Sequence, residues 1–226
     1  MKKLLNVFVV LILLSVLTAC STPSVSTSSD AEMTTREKMN RKAFRFNQKL
    51  DRTLLNPVAR TYKKVTPDLV ETGIGNFFAN LGDLSNAFNN VLQFKLVDAG
   101  SDMTRFAFNS TFGLAGFIDV ASALQLEKHD EDFGQTLARW GLKSGSYTVT
   151  PFLGASTTRD SVGFWVDMVS NPLSYMEDGT GLSVLESLNT RAESLETLAK
   201  PSVAAVDEYA IARDKWLKER AEKIQQ

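Results

Sequence analysis

The sequence predicts an all-α body, and three observations predict it. Apolar residues recur at helical spacing along most of the chain after residue 33. Asn56-Pro57, Thr66-Pro67 and Asn171-Pro172 divide that pattern into helix-length pieces. The one stretch with strand-like residues, Gly141 to Gly154 with Tyr147, Val149 and Phe152, also holds glycines and Pro151 and has no partner strand, so it reads as an extended loop.

The chain opens with a targeting segment. Lys2 and Lys3 precede an apolar run from Leu4 to Leu17, followed by Thr18-Ala19-Cys20. A charged start, an apolar middle and small residues before a cleavage point make residues 1–19 a secretory signal peptide. The run is shorter than the roughly 20 residues a membrane span needs. Leu17-Thr18-Ala19-Cys20 resembles the bacterial lipobox, in which the cysteine is lipidated and becomes the first residue of the mature chain. Cys20 is the only cysteine, so no intramolecular disulfide is available. Ser21 in place of Asp favours the outer membrane by analogy with enterobacterial lipoproteins. Residues 20–33, rich in Ser and Thr, read as a lipidated flexible tether.

The elements follow in order. Residues 34–200 read as the helical body and residues 201–226 as a charged C-terminal helix. The first helix starts at Thr34 or Thr35, carries Met39, Ala43, Phe46 and Leu50 on one side, and breaks at Asn56-Pro57. A short helical run with Val58, Ala59 and Tyr62 reaches Thr66-Pro67. A helix then covers Asp68 to Leu81, and Gly82-Asp83 reads as a turn. Further helices cover Ser85 to Phe94, Asp98 to Asn109, a short piece near Asp119 to Leu124, and Phe133 to Trp140. Lys128 to Asp132 reads as a charged loop. Ser156 or Thr157 caps a helix to Val169, and Leu182 to Leu198 mark another, closed by Pro201. The last segment, Ser202 to Lys223, has a narrow apolar stripe (Val203, Val206, Ala210, Leu217) and a charged remainder, the pattern of a surface or partner-facing helix.

One stretch has an unusual composition. Residues 73–141 hold nine of the fourteen phenylalanines, interleaved with Asn76, Asn80, Asn86, Asn89, Asn90, Gln93, Asn109 and Gln135. Phenylalanine buries against hydrocarbon, and amides satisfy one another or the backbone.

Composition limits the function classes. The full chain carries 25 basic and 26 acidic residues; without Lys2 and Lys3 the balance is 23 − 26 = −3. No basic patch stands out, which argues against a nucleic-acid partner. The single histidine, His129, would have to serve any serine-hydrolase triad, and no Gly-x-Ser-x-Gly elbow supplies the nucleophile. No zinc-type ligand set and no phosphate-binding glycine motif is present. The paired carboxylates Glu131 and Asp132 could do acid–base work in principle, but they read as loop charges with no pocket to shift them. No cofactor, metal or catalytic residue is expected. Two rival functions stay open on this reading: a periplasmic lipid hydrolase using His129 or Glu131/Asp132, and a structural lipoprotein that scaffolds a porin.

A series of short blocks resembles one family. They are Asn40-Arg41, Phe44-x-Phe46-Asn47, Leu50-Asp51, Asn76-Phe77-Phe78-x-Asn80-Leu81, Asn90-x-Leu92-Gln93, Arg105-Phe106 and Asn109-Ser110-Thr111-x-Gly113. Then come Gly116-Phe117-x-Asp119-Val120-Ala121, Glu131-Asp132-Phe133-Gly134-Gln135-Thr136-Leu137, Trp140-Gly141, Pro151-x-Leu153-Gly154 and Arg159-Asp160. In this order they resemble the MlaA (VacJ) family of outer-membrane phospholipid-transport lipoproteins. Departures stand at the first helix start, where only Glu37 remains of an acidic-proline motif, at Leu84, at Phe94 in place of a glycine, and at Ser146 in place of a proline.

The resemblance implies a ring-like array of amphipathic helices lying in one leaflet of the outer membrane. It implies a polar-lined channel through which mislocalised phospholipids leave the outer leaflet for a periplasmic lipid carrier (MlaC-like), and association with a trimeric porin. On that basis the amides are expected to line the channel. Phe44, Phe46 and Asn47 at the centre of the first helix are the channel or gate candidates. Asn76, Phe77, Phe78, Asn80, Asn109, Asp132, Phe133, Gly134, Gln135 and Thr136 carry the family motif. The C-terminal helix is expected either to dock the carrier or to pack back on the body.

Overall fold

The computed structural model describes residues 33–195 and 207–225. The signal peptide, Cys20, most of the tether, and the expected contacts of Leu198, Pro201, Val203 and Val206 lie outside the described residues.

The chain starts with helix α1 (Thr35–Leu50), a π-helical turn (Asp51–Leu55) and α2 (Asn56–Val65) in unbroken succession. The expected break at Asn56-Pro57 is therefore corrected. Pro57 lies in the first turn of α2, where its missing N–H costs no helical bond, and the wider π turn absorbs the ring. Arg191 fastens this turn by donating to Asp51 Oδ2 and Asn56 Oδ1, both at 2.7 Å. The break at Thr66-Pro67 is present, with Thr66 extended at ψ 123°.

Helix α3 (Asp68–Leu92) is a single element of 25 residues, so Gly82-Asp83 is not a turn. A helical glycine costs about 1 kcal/mol relative to alanine. Here the helix continues because Asp83 is carried into the interior beside Arg105, Oδ2 to Nε 3.6 Å. Helices α4 (Leu96–Thr111), α5 (Val120–Ala123) and α6 (Phe133–Arg139) follow.

The expected loop at residues 141–154 is a hairpin. Strand β1 (Tyr147–Thr150) pairs antiparallel with β2 (Gly154–Thr157), Tyr147 opposite Thr157 and Thr150 opposite Gly154. Gly-Ala-Ser-Thr has no strand composition, so the partner strand lies hidden in what reads as the end of an extended loop and a helix cap. Thr157 does cap α7 (Thr158–Ser170), its side chain accepting the Asp160 N–H. A 3₁₀ turn (Pro172–Tyr175), α8 (Gly179–Ser194) and α9 (Glu208–Gln225) complete the described body.

Contacts within residues 35–226 form a closed circuit. Helix α1 packs on β1, β2 and α6 pack on α7, α6 on α3, and α3 and α2 on α8; α2 then returns to α1 through the π turn. This is the ring-like array of helices implied by the resemblance.

The polarity of that array is inverted relative to a protein folded in water. Among the described residues, the largest fully buried side chains include Arg105, Asn89, Asn90 and Asn189. Buried apolar residues are mostly alanines: Ala43, Ala59, Ala87, Ala99, Ala121 and Ala192. Leu69, Phe94 and Val97 are each 85% exposed, and Phe112, Leu114 and Phe152 lie outside as well. Water-soluble proteins do the opposite with both classes. Small residues and polar side chains between helices, with bulky apolar groups outward, is how helices pack in lipid. No helix among the described residues is long and apolar enough to cross a membrane.

Several outward apolar groups sit at strained positions. Phe94, Leu114 and Phe152 have φ of +64°, +53° and +68°, a region that bulky L-residues rarely occupy. Phe94 stands where the resembled family carries glycine. Phe94→Gly is expected to raise unfolding stability in detergent by about 1 kcal/mol, since the left-handed conformation costs a side-chain-bearing residue about that much. A thermal melt of the two proteins reads it.

Candidate functional site

The amide-bearing face of α3 meets α4, α6 and the segment between them, and its side chains bond across to those elements. Asn80 donates to Ser110 Oγ (2.9 Å), and Asn86 donates to the His129 carbonyl (2.6 Å) and accepts the Glu131 N–H (3.0 Å). Asn90 donates to Asp102 Oδ2 (2.8 Å), and Gln93 to Glu131 Oε2 (2.7 Å). Thr136 Oγ1 donates to Asn89 Oδ1 (2.8 Å). Asn109 donates to Asp119 (3.1 Å) and accepts the Ala121 N–H (2.9 Å), while Asn76 donates to the Phe117 carbonyl (3.1 Å). The expectation that these amides line a channel is corrected: the buried ones join helix to helix. Phe78 is buried against Phe77, which also meets Phe117 at 5.9 Å.

Arg105 is the charged centre of this seam. Its Nη1 donates to the Leu126 carbonyl (2.7 Å), its Nη2 to Asp119 Oδ2 (3.0 Å), and Asp83 flanks its Nε. Burial raises the Asp119 carboxyl, but hydrogen bonds from Ser122, Asn109 and Arg105 outweigh that and hold it at about 2. Burial pushes Asp83 up to about 6 against the pull of Arg105. It pushes Asp167 to about 6 as well, against the Phe133 N–H that Asp167 accepts.

These shifts fix a pH dependence. Asp83 and Asp167 bind more protons folded than unfolded between the ordinary carboxylate value near 4 and their folded value near 6, so stability falls as pH rises through that window. Asp119 acts the other way, and only as pH falls from 4 toward 2. The melting temperature is therefore expected to decline between pH 4 and pH 7. The Asp83→Asn/Asp167→Asn double variant should flatten that decline, and an unchanged slope contradicts it.

The segment from Glu131 to Thr136 is a joint rather than a charged surface loop. Glu131 is buried and accepts from Lys95 (2.8 Å), Gln93 and Gln135 (both 2.7 Å). Asp132 caps α6 by accepting the Gln135 N–H (2.9 Å) and takes a fork of two bonds from Arg220 at 2.6 and 2.7 Å. Phe133 donates its N–H to Asp167 (3.0 Å) and sets its ring against Trp140 (5.8 Å). Gly134 is there for space: a Cβ would lie 2.5 Å from both Arg220 Nη2 and Asp160 Oδ1. Lys128 to Asp132 is a loop as expected, with Lys128 and Asp130 exposed; what departs from the sequence reading is the burial of Glu131. His129 Nδ1 lies 2.8 Å from Asp102 and its Nε2 faces Asp98, so both nitrogens meet carboxylates rather than a hydroxyl nucleophile. Among the described residues no cluster has the make-up of a metal site.

Helix α9 packs back on the body. Tyr209 is buried and meets the ring of Phe44 edge-on at 5.7 Å, and Trp216 meets Tyr147 at 5.8 Å. Arg220 bridges Asp132 and Asp160.

The gate candidates lie where α1 clasps the hairpin. Asn40 donates to the Tyr147 carbonyl (3.1 Å) and accepts the Val149 N–H (3.0 Å). Asn47 repeats this two turns later, donating to the Thr150 carbonyl (3.0 Å) and accepting the Phe152 N–H (2.9 Å). Seven helical residues rise about 10.5 Å, and the three strand residues between the two attachment points rise about 10 Å. The amides thus stand in for a neighbouring strand along the free edge of β1. Phe46 lies edge-on to Phe152 at 5.2 Å, at the tip of the strained turn. Phe44 points the other way, to Tyr209.

A family model for the MlaA lipoprotein matches residues 35–223. The chain belongs to the MlaA lipoprotein family. The intermembrane phospholipid transport system lipoprotein MlaA of Escherichia coli is similar at 33% identity over 167 residues, 71% of this chain and 66% of that protein. The Haemophilus influenzae protein of the same name is 31% identical over 154 residues, 67% of this chain and 62% of that protein. An uncharacterised Rickettsia typhi protein is 36% identical over 140 residues, 62% of this chain, and the match spans 56% of its length. A solved structure described under "Structural basis for maintenance of bacterial outer membrane lipid asymmetry" superposes with a TM-score of 0.72 at 29% identity, covering 88% of this chain and all of that one.

The MlaA motif residues are thus accounted for mainly as joints between elements. Asp167 and Arg220 escaped the sequence reading. Asp167 sits in a helix whose neighbours are apolar, and Arg220 lies in a run of mixed charges where no single residue stands out.

Proposed function

We propose that this chain is an outer-membrane lipoprotein that removes phospholipids mislocalised to the outer leaflet, through a polar-lined channel, and passes them to a periplasmic lipid carrier. The observation that carries the reading is the inverted polarity: interhelical amides and ion pairs inside, large apolar side chains outside. A body built this way is stable where its surroundings are hydrocarbon, and amphipathic helices of this kind lie within one leaflet. The strained, exposed Phe94, Leu114 and Phe152 suit wedges held out into acyl chains. The names of the E. coli and H. influenzae relatives support the substrate class.

Moving a phospholipid this way needs no bond chemistry. About 30 CH₂ groups exposed to water cost on the order of 24 kcal/mol, and a charged head group resists hydrocarbon. A route with a polar wall and an apolar rim lowers both barriers. The closed circuit of elements supports such a route through the body. The buried amides hold the circuit together, which leaves the lining to other groups. Phe46 and Asn47, which fix the hairpin, are proposed to set the mouth of the route. Residues His129, Glu131 and Asp132 serve structure, and the protein acts as a conduit and not an enzyme. A trimeric porin is the proposed membrane partner.

The purified lipoprotein in vesicles, offered a labelled phospholipid and a soluble lipid carrier, is expected to speed transfer to the carrier. Cys20→Ala, which removes the anchor, is expected to lose most of this transfer in cells while the body still folds. Transfer at the rate of protein-free vesicles contradicts the reading.

A further inference from the structure

The clasp between α1 and the hairpin leaves an open groove of about 610 Å³ whose lining combines the apolar Met39, Ala43, Phe46, Val149 and Pro151 with the cations Arg36 and Lys42 and the polar Asn40 and Thr148. Its volume falls within the range of roughly 300–1,000 Å³ typical of small-molecule sites. Ala43 and Val149 are buried beneath it, whereas Met39 is 65% and Phe46 is 42% exposed, so the apolar wall is open to an occupant.

The charge beside this groove is one-sided. Helix α1 carries Arg36, Lys38, Arg41, Lys42, Arg45 and Lys49 against the single acid Glu37. Arg41 is occupied, donating to Glu37 and Asp207. Arg36 donates to Ser146 Oγ through one guanidinium nitrogen, which ties it to the base of the hairpin. Lys42 has no side-chain partner among the described residues. Arg36 and Lys42 are about 9 Å apart along the helix axis, and both line the groove. Arg offers a fork to phosphate oxygens and Lys a mobile point charge.

We propose that this groove is a phospholipid subsite: the phosphodiester lies between Arg36 and Lys42, and an acyl chain lies over Met39, Phe46, Val149 and Pro151. The inference rests on the transport reading above and assigns residues to its substrate. A fatty acyl group alone would use the apolar wall and leave the two cations idle; a soluble anion would use the cations and leave the wall idle. A phospholipid uses both. The site also explains why Asn40 and Asn47, rather than larger groups, carry the clasp: they seal β1 without filling the groove.

The test uses the full lipidated protein in vesicles of phosphatidylethanolamine and phosphatidylglycerol, with a phosphatidylethanolamine probe bearing a photoreactive group in its acyl chain. Adducts are mapped by mass spectrometry. Labelling is expected on Met39, Phe46 or Val149. Each of Arg36→Gln and Lys42→Gln is expected to lower groove labelling about fivefold, the equivalent of about 1 kcal/mol per cation beside an anionic head group. Met39→Trp, at an exposed position, should block it by filling the mouth. A diacylglycerol probe of the same chain length should label about as weakly as the Arg36→Gln/Lys42→Gln double variant, and inorganic phosphate should not compete. Equal labelling by diacylglycerol, or labelling that ignores both cations and Met39→Trp, overturns the subsite. If the double variant loses groove labelling yet transfers lipid to a carrier at the full rate, the subsite has no part in transport and the inference fails while the transport reading stands. If the unaltered protein transfers nothing, the transport reading itself fails.

Discussion

Arg105→Leu is expected to destabilise the body by about 3–5 kcal/mol, the usual cost of removing one partner from a buried charge network. Arg105 is 1% exposed and is held to Asp119, Ser122 and the Leu126 carbonyl, with Asp83 alongside. Its loss leaves the Asp83 carboxylate buried with only the weaker pull of Lys128, although burial already works against its charge. The segment from Gly113 to Leu126 keeps only Asn109 to tie it to α4, through Asp119 and the Ala121 N–H. A domain is stable by only about 5–15 kcal/mol, so a large share of the margin goes. Chemical unfolding in detergent and the cellular level of the protein both read it. A change below about 1 kcal/mol would mean that the seam is redundant.

Deleting Phe46 and Asn47 is the larger functional change. Two residues correspond to about 200° of helix rotation, so everything in α1 before the deletion turns away from its partners. Asn40 leaves the edge of β1, Phe44 leaves Tyr209, and the hairpin tip loses both its Asn47 bonds and its aromatic contact. The circuit through α3, α6, α7 and α8 does not depend on that register. The expected result is a retained protein with a mis-set route, leaky or reversed in lipid flow, and an outer-leaflet phospholipid pattern unlike that of a strain without the gene. Asn47→Ala removes two bonds only and is expected to give a milder version of the same phenotype. If the deletion variant is degraded, or its lipid pattern matches gene loss, Phe46 and Asn47 are structural and set no gate.

Most helices were legible because their signals are local. Thr157 before Asp160, the Thr66-Pro67 break and the helical spacing around Phe133 to Arg139 are all read within a few residues. What stayed hidden depends on distant partners. Nothing local distinguishes Gly82-Asp83 in a turn from Gly82-Asp83 in a helix; Arg105, one helix away, decides it. The second strand reads as loop end and cap because Gly-Ala-Ser-Thr is held by pairing with β1, and β1 in turn by two asparagines about a hundred residues earlier. The interleaving of Phe and Asn was visible from the start. Its sense was not, because the same pattern serves an aromatic core in water and an amide core in lipid. Exposure of Phe94 and Phe112 against burial of Asn89 and Asn90 shows that amides rather than phenylalanines fill this part of the interior. The motif from Glu131 to Thr136 was found by its residues, but its work as a joint with Asp167 and Arg220 needed the fold.

The most direct measurement is the phospholipid content of the outer leaflet of the outer membrane in cells with the gene, without it, and with it restored. The transport account predicts that outer-leaflet phospholipid rises when the gene is lost and returns to its original level on restoration. The same content in all three strains would contradict it and leave a scaffold beside the porin as the protein's role.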